Sequence, residues 1–329
     1  MVALPVIPRT HRDRYAAALI GCGIAVGVLA LISLGIGVSD LSLTNLSAAG
    51  ELLSLSRLPR TAALILAGAA MAISGVVMQM LTRNRFVEPS TAGTTESAAF
   101  GLLVASLIAP GMPLWAKMGF GTLTALAGTA LFVAILRAVP LRTVLIVPLI
   151  GLMLGGIISS ITTFIAYKGN MSQGLGAWLS ADLSGVVKGR YEMLWLLAAV
   201  AFAVWIMADR FTVAGLGEDF TTNLGLNHRA VMSMGLSLVA LATSIVVITV
   251  GAIPFLGLIV PNIVALFIGD NIRRAIPWVA LLGAGVVLLC DIIGRLVRYP
   301  YEVPLGVIMG IVGSLVFLIL LLQRSAPVE

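Results

Sequence analysis

TAALILAGAAMAISGVVMQML, residues 61–81, is an uninterrupted apolar run long enough to cross a membrane as a helix. About 20 apolar residues span the hydrocarbon core of a bilayer, because a helix rises about 1.5 Å per residue. Similar runs recur along the 329-residue chain, which is 60% hydrophobic and only 10% charged. A soluble domain would carry about 25% charged residues, and a transmembrane barrel would show short alternating segments. The chain is therefore predicted to be an all-α polytopic membrane protein.

The apolar runs predict about ten transmembrane helices in a single transmembrane domain, residues 1–329. Two runs, 95–109 and 254–268, are short for a bilayer, and we expect them to be tilted, half-buried or partly re-entrant. Little sequence remains outside the runs for a separate soluble domain. The runs are 15–37, 61–81, 95–109, 114–136, 143–167, 191–208, 230–250, 254–268, 276–297 and 304–323.

Basic residues indicate how the chain is oriented. An even number of spans places both termini on one side of the membrane. With the N-terminal tail, residues 1–14, in the cytoplasm, 12 of the 20 Lys and Arg residues lie on the cytoplasmic side and 8 on the opposite side. Lys and Arg are enriched in the cytoplasmic loops of membrane proteins. Both termini and the segment 209–229 are therefore predicted to be cytoplasmic.

Residues 209–229 read DRFTVAGLGEDFTTNLGLNHR and form a polar, glycine-bearing island between two spans. A turn between packed helices needs only a few residues, so the length of the island indicates a docking surface. Its first glycines predict a break in the chain, its acids suit a helix N-terminus, and its later glycine suits a helix stop. We expect two short helices here, with a solvated connecting loop as the alternative. The residues behind this prediction are Gly215, Gly217, Glu218, Asp219, Leu224, Gly225 and Asn227.

Several kinds of chemistry lack their motifs in this sequence. No G-x-x-x-x-G-K-[ST] phosphate loop occurs, so the chain is not expected to hydrolyse ATP by itself. No H-E-x-x-H occurs, and two Cys and two His make a metal site or a disulfide framework a poor interpretation. Basic residues are spread between the spans without aromatic neighbours, which argues against nucleic acid. If the chain drives transport, the energy comes from a partner or from an ion gradient.

An ion-coupled carrier would place ionisable residues at mid-membrane, and two acids are candidates. Glu96 lies near the start of the third span, where we expect a cap or interface residue. Asp291 lies deeper, and Arg295 follows it at i+4 on the same helix face. We predict an Asp291–Arg295 pair in preference to a proton relay, which normally needs more than one carboxylate. An ion-coupled carrier and an intramembrane enzyme remain the alternatives.

Four long motifs follow one another along the chain. They are RLPRTAALILAGAAMAISGVVMQMLTRNRFVEP (57–89), LGEDFTTNLGLNHRAV (216–231), GAIPFLGLIVPNIVALFIGDNIRRAIP (251–277) and DIIGRLVRYPYEVPLGVIMGIVGSLVFLILLL (291–322). In order, spacing and span count, these motifs resemble the FecCD-type permeases of ABC importers for iron–siderophores and cobalamin. The resemblance covers nearly the whole chain and implies the type II ABC importer permease fold.

The chain departs from the family pattern at three places. Residues 84–90 read NRFVEPS where many members have N-P-L-[AV]-[DE]-P-G, Asn262 stands where many have His, and Pro254 replaces a usual Gly. These variants, with TAGT at 91–94, resemble the branch associated with petrobactin-, anguibactin- and enterobactin-type siderophores. The resemblance thus implies a ferric siderophore as cargo, with a cobalamin or haem importer of the same family as the alternative.

The resemblance also implies roles for particular residues. Arginines matching Arg57, Arg60 and Arg295 pair with glutamates of a binding protein on the outer face, which suits the rigid charged fork of Arg. Lipid headgroup contact is the alternative, and Asp291 competes for Arg295. The segment 209–229 is implied to be the coupling loop that an ATPase grips. Candidates for lining the transport pathway, with helix packing as an equal alternative, are Ser159, Ser160, Thr162 and Thr163.

The same resemblance implies a set of partners. The chain is expected to form a dimer with a second copy or a homologous permease, and to bind two ATP-binding subunits and a periplasmic or lipid-anchored siderophore-binding protein. It is expected to bind no cofactor and no metal of its own, with ATP and Mg on the partner ATPase. The expected location is the bacterial inner (cytoplasmic) membrane.

Overall fold

The structure, a computed structural model, describes residues 9–37, 50–139, 146–189, 191–269 and 271–324. Every regular element within those ranges is helical. In chain order, the helices are α1 (Arg9–Gly35), α2 (Gly50–Leu81), α3 (Thr94–Ile108), α4 (Leu114–Ala138), α5 (Ile146–Lys168), α6 (Ser172–Leu179), α7 (Trp195–Ala214), α8 (Glu218–Asn223), α9 (His228–Thr249), α10 (Leu256–Ile268), α11 (Ile272–Leu296) and α12 (Leu305–Arg324).

Eight helices in the described part of the chain are long and apolar enough to cross a membrane. Two further apolar helices are shorter: α3 has 15 residues and α10 has 13. Both correspond to the runs predicted to be short, so the all-α fold of about ten transmembrane helices is confirmed. The rise of α10 is only about 20 Å, which is less than the ~30 Å core of a bilayer.

The N-terminal tail is only partly covered by the described residues. Helix α1 begins at Arg9, inside the predicted tail of residues 1–14, and residues 1–8 lie outside the described ranges. The membrane-spanning part of α1 runs from Tyr15, in agreement with the predicted start of the first span. That residues 1–329 form one domain stays a prediction.

Helix α2 begins well before its predicted start, so Arg57 and Arg60 lie in a helix rather than in a loop. A five-residue π-helical turn ends two residues before Pro59. Proline has no N–H to donate to the carbonyl four residues earlier, and the turn accommodates this gap. That carbonyl, on Leu55, accepts a hydrogen bond from the N–H of Lys188 at 3.0 Å instead. The helix therefore continues through a residue that usually interrupts one.

Helix α2 is the centre of the bundle. Of its most apolar 18-residue window, 78% is buried inside the subunit, against 11% for α1 and 17% for α12. It packs against α7, α9, α10 and α11. A Cβ on Gly68 would lie 2.7 Å from the carbonyl oxygen of Gly283, and one on Gly75 would collide with the backbone of Gly257. Small residues let helix backbones approach closely where no hydrophobic force drives their association.

Candidate functional site

The polar island predicted to be a coupling loop folds into a short helix, α8, between α7 and α9. Its N-cap is Gly217, whose φ of +117° is a conformation that L-residues rarely adopt. Its C-terminus is closed by Gly225 at φ +78°, and the N–H of Leu226 donates to the carbonyl of Thr221 at 3.1 Å. This is a Schellman arrangement, so the predicted glycine stop is confirmed. We call residues 215–227 the α8 loop.

One detail of the predicted island is wrong. One short helix is present rather than two, because α7 continues through Ala214. It continues because Phe211 and Ala214 are buried against the core, while Asp209 faces outward and pairs with Arg273 at 2.6 Å. The predicted break is present, since α7 ends at its C-cap Gly215 and α8 begins at Glu218, although the φ of −63° at Gly215 is an ordinary one. The missing side chain of Gly215 lets α7 approach the end of α2.

Polar side chains hold the base of the α8 loop. The hydroxyl of Thr221, which is fully buried, donates to the carbonyl of Gly217 at 2.6 Å. The side chain of Asn227 accepts the N–H of Ala230 at 3.1 Å and so caps the start of α9. A six-residue helix is not stable alone. The hydroxyl of Thr221 also donates to the carbonyl of Val213 in α7 at 3.3 Å and lies 3.3 Å from Nδ1 of His228 in α9, so it fixes α8 to both neighbours.

The outer surface of the α8 loop carries an apolar stripe. Leu216, Phe220 and Leu224, four residues apart, are 56%, 56% and 58% exposed. Phe220 lies within α8 and Leu224 is its C-cap, so these two lie on one side of the helix, whereas Leu216 precedes the non-helical N-cap Gly217. Glu218 and Asp219 are exposed in the first turn of α8, where their charge complements the helix N-terminus. Exposed apolar surface rimmed by charge is typical of a protein interaction site.

Sequence reasoning identified Leu224 but missed the other two members of the stripe, although all three are large apolar residues in a polar segment. A cavity of 340 Å³ lies beside the stripe, between the ends of α2, α7, α10 and α11. The stripe and the cavity together form what we call the α8 end of the bundle. The cavity lining includes Gln79, Arg83, Leu216, Pro261, Gly269 and Ile272.

At the opposite end of the bundle, the arginines predicted to dock a binding protein make contacts within the chain. Arg57 is 7% exposed, and its guanidinium donates to the carbonyls of Leu34 at 2.8 Å and Gly35 at 3.1 Å. These carbonyls belong to the last turn of α1 and have no helical partner. A cation at a helix C-terminus is stabilising. Arg57 therefore caps α1.

A charge network of four residues lies next to this cap. Asp291 is 2% exposed and pairs with Arg295 at 2.6 Å and with Arg60 at 2.7 Å. Arg60 also reaches Glu302 at 2.7 Å. The predicted Asp291–Arg295 pair is confirmed. Sequence reasoning missed the contact with Arg60, because the two residues are 231 positions apart and no local spacing indicates it.

Arg295 also ties the network to α1. Its side chain is 6% exposed and donates to the carbonyls of Ser33 at 3.0 Å and Ile36 at 2.8 Å. Two cations and two carboxylates balance in charge, as buried ions require. The network thereby joins α1, α2 and α11 at one end. Among the described residues, no three His, Cys, Asp or Glu side chains lie close enough to hold a metal ion.

Docking of a binding protein by Arg57, Arg60 and Arg295 stays a prediction. A glutamate of the partner would compete with internal acceptors for each of these side chains. Arg298 lies just after α11, at the same end of the bundle as these arginines. It is exposed, and its guanidinium lies 5.7 Å from the ring centre of Tyr301. Arg298 is therefore the most accessible of these four cations.

A substitution of Arg57 separates capping from docking. We expect Arg57→Ala to lower the free energy of unfolding by about 1.5–3 kcal/mol, because charged hydrogen bonds to the α1 carbonyls are lost. Arg298→Ala should change it by less than about 0.5 kcal/mol, because this side chain is exposed. Unfolding of the purified chain in mixed micelles, followed by tryptophan fluorescence, measures both. Equal stability of the two variants would contradict the capping role.

The hydroxyl residues predicted to line the pathway lie on α5 but differ in exposure. Ser160 and Thr163 are exposed, Ser159 is half-buried, and Thr162 is only 2% exposed. The hydroxyls of Ser160, Thr162 and Thr163 each donate to the carbonyl four residues earlier. Thr162 does not reach the subunit surface, and the lining role of the set stays a prediction.

Known proteins resemble this chain over most of its length. The sequence profile of the FecCD transport family matches residues 24–323. The petrobactin import system permease protein YclN of Bacillus subtilis (strain 168) is 47% identical over 270 residues, covering 82% of this chain and 85% of that protein. The ferric-anguibactin transport system permease protein FatD of Vibrio anguillarum is 41% identical over 269 residues, covering 82% and 86%.

A solved structure shares the fold. It shows a metal-chelate type ABC transporter in an inward-facing conformation, with a TM-score of 0.80 and 24% identity, covering 94% of this chain and 99% of that one. The apolar helices make the present chain a multi-pass membrane protein. The profile match and the two relatives above 40% identity lead to one assignment: this chain belongs to the FecCD transport family.

Proposed function

We propose that this chain is the transmembrane permease subunit of an ATP-driven importer that carries a ferric siderophore across the bacterial inner (cytoplasmic) membrane. Membership of the FecCD transport family supports the transport role. The relatives named as petrobactin and ferric-anguibactin permeases support a siderophore as cargo. The exposed apolar stripe of the α8 loop is the single observation that carries the motor-driven mechanism.

The stripe favours a docked protein partner. Leaving Leu216, Phe220 and Leu224 in water is unfavourable, and a partner groove would remove that apolar surface from water. Because this chain has no phosphate loop and belongs to a transport family, we infer that the partner is an ATPase that holds the ATP and Mg, while this chain binds no cofactor itself. Two such ATPases serve a dimer of this chain with a second copy or a homologous permease.

The two ends of the bundle then face opposite compartments. The α8 end and both termini lie in the cytoplasm, and the end with Arg60 and Arg298 faces a periplasmic or lipid-anchored binding protein. Arginines on this face would orient the binding protein and speed its association through complementary charge. ATP binding would close the ATPases and displace the α8 loops. This displacement shifts the dimer between outward- and inward-facing conformations.

Phe220→Ser tests the docking of the ATPase. We expect affinity for the co-purified ATPase to fall at least about tenfold, because a half-exposed aromatic side chain in an interface is an energetic hot spot. ATP-dependent uptake of radiolabelled ferric petrobactin by proteoliposomes that contain the ATPase and binding protein should fall with it. The chain itself should still insert in the membrane.

The matched control is Tyr301→Ser, because Tyr301 is an aromatic residue that is 70% exposed at the opposite end. It should leave ATPase affinity unchanged. If Phe220→Ser binds the ATPase as tightly as wild type, the α8 loop is not the docking element. If the wild-type chain takes up the complex on an ion gradient without ATP, the proposed energy source is wrong.

A further inference from the structure

The connector between α2 and α3, residues 82–93, is irregular apart from one 3-10 turn, Ser90–Ala92, and its middle is buried. Val87, Glu88 and Ala92 are 0%, 2% and 0% exposed. Buried backbone without regular structure must find partners for its polar groups. The N–H of Glu88 donates to the hydroxyl of Thr91 at 2.8 Å, and the N–H of Phe86 donates to a side chain within the connector. The connector is therefore a built part of the core rather than a surface loop.

Helix α10 begins inside the bundle, next to the connector. Gly257, in the first turn of α10, contacts Gly75, which lies six residues before the end of α2. The first N–H groups of a helix have no partner within it. The N-cap is Phe255, whose φ of +62° is uncommon for a bulky residue. A strained cap of this kind persists only where surrounding contacts hold it.

Glu88 supplies that contact. Its Oε1 accepts the N–H of Phe255 at 3.0 Å and the hydroxyl of Ser90 at 2.5 Å. This oxygen thus lies at the N-terminus of α10, where it accepts an N–H that has no partner within the helix. A second bond runs from Nδ2 of Asn262, further along α10, to the carbonyl of Arg85 at 2.8 Å. Two side chains therefore fasten α10 to the connector.

The connector and α10 also contact neighbouring elements, namely the α8 loop on one side and α12 on the other. A Cβ on Gly215 would lie 3.3 Å from Sδ of Met80, and one on Gly217 would lie 3.3 Å from Nη1 of Arg83. The α8 loop thus touches the end of α2 and the start of the connector. On the other side, a Cβ on Gly313 would lie 2.7 Å from Cβ of Phe255, so α12 packs directly on the N-cap.

We propose that Glu88 is a positioning residue that makes α10 move with the connector, so that displacement of the α8 loop reaches α10 and α12 inside the membrane. This inference rests on the proposed function, because it presumes that an ATPase displaces the α8 loop. Coupling between distant sites needs an element whose arrangement both sites bias. Helix α10 is that element, since its N-cap conformation depends on a side chain 167 residues away.

Glu88→Ala tests the proposal in proteoliposomes that contain the permease, the ATPase and the binding protein. The readout is ferric petrobactin taken up per ATP hydrolysed, with ferric petrobactin as the probe. We expect this ratio to fall at least about fivefold, while assembly and ATP hydrolysis stay within about twofold of wild type. Glu88→Gln should restore the ratio, because the amide Oε1 can accept the same N–H.

The matched control is Glu96→Ala, which removes a carboxyl in the first turn of α3 whose Oε2 is buried without a hydrogen bond. It should leave the ratio near the wild-type value. A Glu88→Ala ratio equal to that of wild type overturns the proposal. If Glu88→Ala does not assemble, Glu88→Asp is the variant that tests the proposal, because its side chain is one methylene too short to reach the N–H of Phe255. An unchanged ratio in Glu88→Asp overturns the proposal as well.

A second measurement distinguishes this inference from the proposed function. Amide hydrogen exchange of the peptide that contains Phe255, in the purified chain alone, needs no transport partner. We expect faster exchange in Glu88→Ala than in Glu88→Gln. Identical exchange in the two variants would contradict the contact between Glu88 and Phe255, whatever the transport result. If exchange differs but the wild-type complex shows no ATP-driven uptake, the proposed function fails and the fastening remains.

Discussion

Gly75→Ala is expected to destabilise the folded chain by about 3 kcal/mol or more. The added methyl group would collide with the backbone of Gly257, and a backbone cannot rotate away as a side-chain tip can. Helices α2 and α10 would have to separate. Because α2 is the most buried span, this displacement would disturb its packing against α7, α9 and α11 as well. Unfolding of the purified chain in mixed micelles measures the change.

Gly23→Ala is the matched control, since a Cβ there meets nothing within 4 Å in the subunit. In a helix interior, alanine is favoured over glycine by about 0.5–1 kcal/mol. The same substitution should therefore be neutral or stabilising in α1 and strongly destabilising in α2. A loss of stability at Gly75 no larger than the change at Gly23 would contradict the close crossing of α2 and α10.

Asp291→Asn should lower the free energy of unfolding by about 3–5 kcal/mol. The substitution keeps the shape of the side chain but removes the charge that Arg60 and Arg295 share. Both arginines would keep their positive charges in a largely buried site. Removing one partner of a buried ion pair costs more than the pair contributes, because the remaining ions stay desolvated.

Glu302→Gln is the control for this network. Its side chain is 31% exposed, so solvent screens its pair with Arg60, and we expect a loss below about 1 kcal/mol. Both variants are compared by unfolding in mixed micelles and by resistance to proteolysis in membranes. If Asp291→Asn costs no more than Glu302→Gln, the network does not hold α1, α2 and α11 together.

The sequence predicted the membrane class, the number of spans and the two short helices, because hydropathy and length are local properties of the chain. The glycine stop at Gly225 was predicted for the same reason, because it depends on residues within five positions. The cap that Asn227 provides for α9 was not predicted. The pair Asp291–Arg295 followed from the i+4 spacing. The start of α2 was missed, because its Pro59 is accommodated by the N–H of Lys188, which is distant in sequence.

The candidate sites also combine features that the sequence predicted with features that depend on tertiary packing. The island 209–229 was found from its polarity and length, yet its single helix and exposed stripe depend on how far α7 packs against the core. Arg57 was assigned to an outer face from its charge and position in a family motif. Its contacts with the end of α1 emerge only when α1 and α2 lie side by side.

By itself, the sequence determined that this chain is an all-α membrane protein of about ten spans and of the FecCD type, with a polar island between two spans, because span length, polarity and motif order are properties of neighbouring residues. The tertiary structure alone decided which polar side chains meet across long distances in the sequence. Arg60 meets Asp291 across 231 positions, and Glu88 meets Phe255 across 167. Such contacts follow from the close packing of α2 against α10 and α11, which no local pattern specifies.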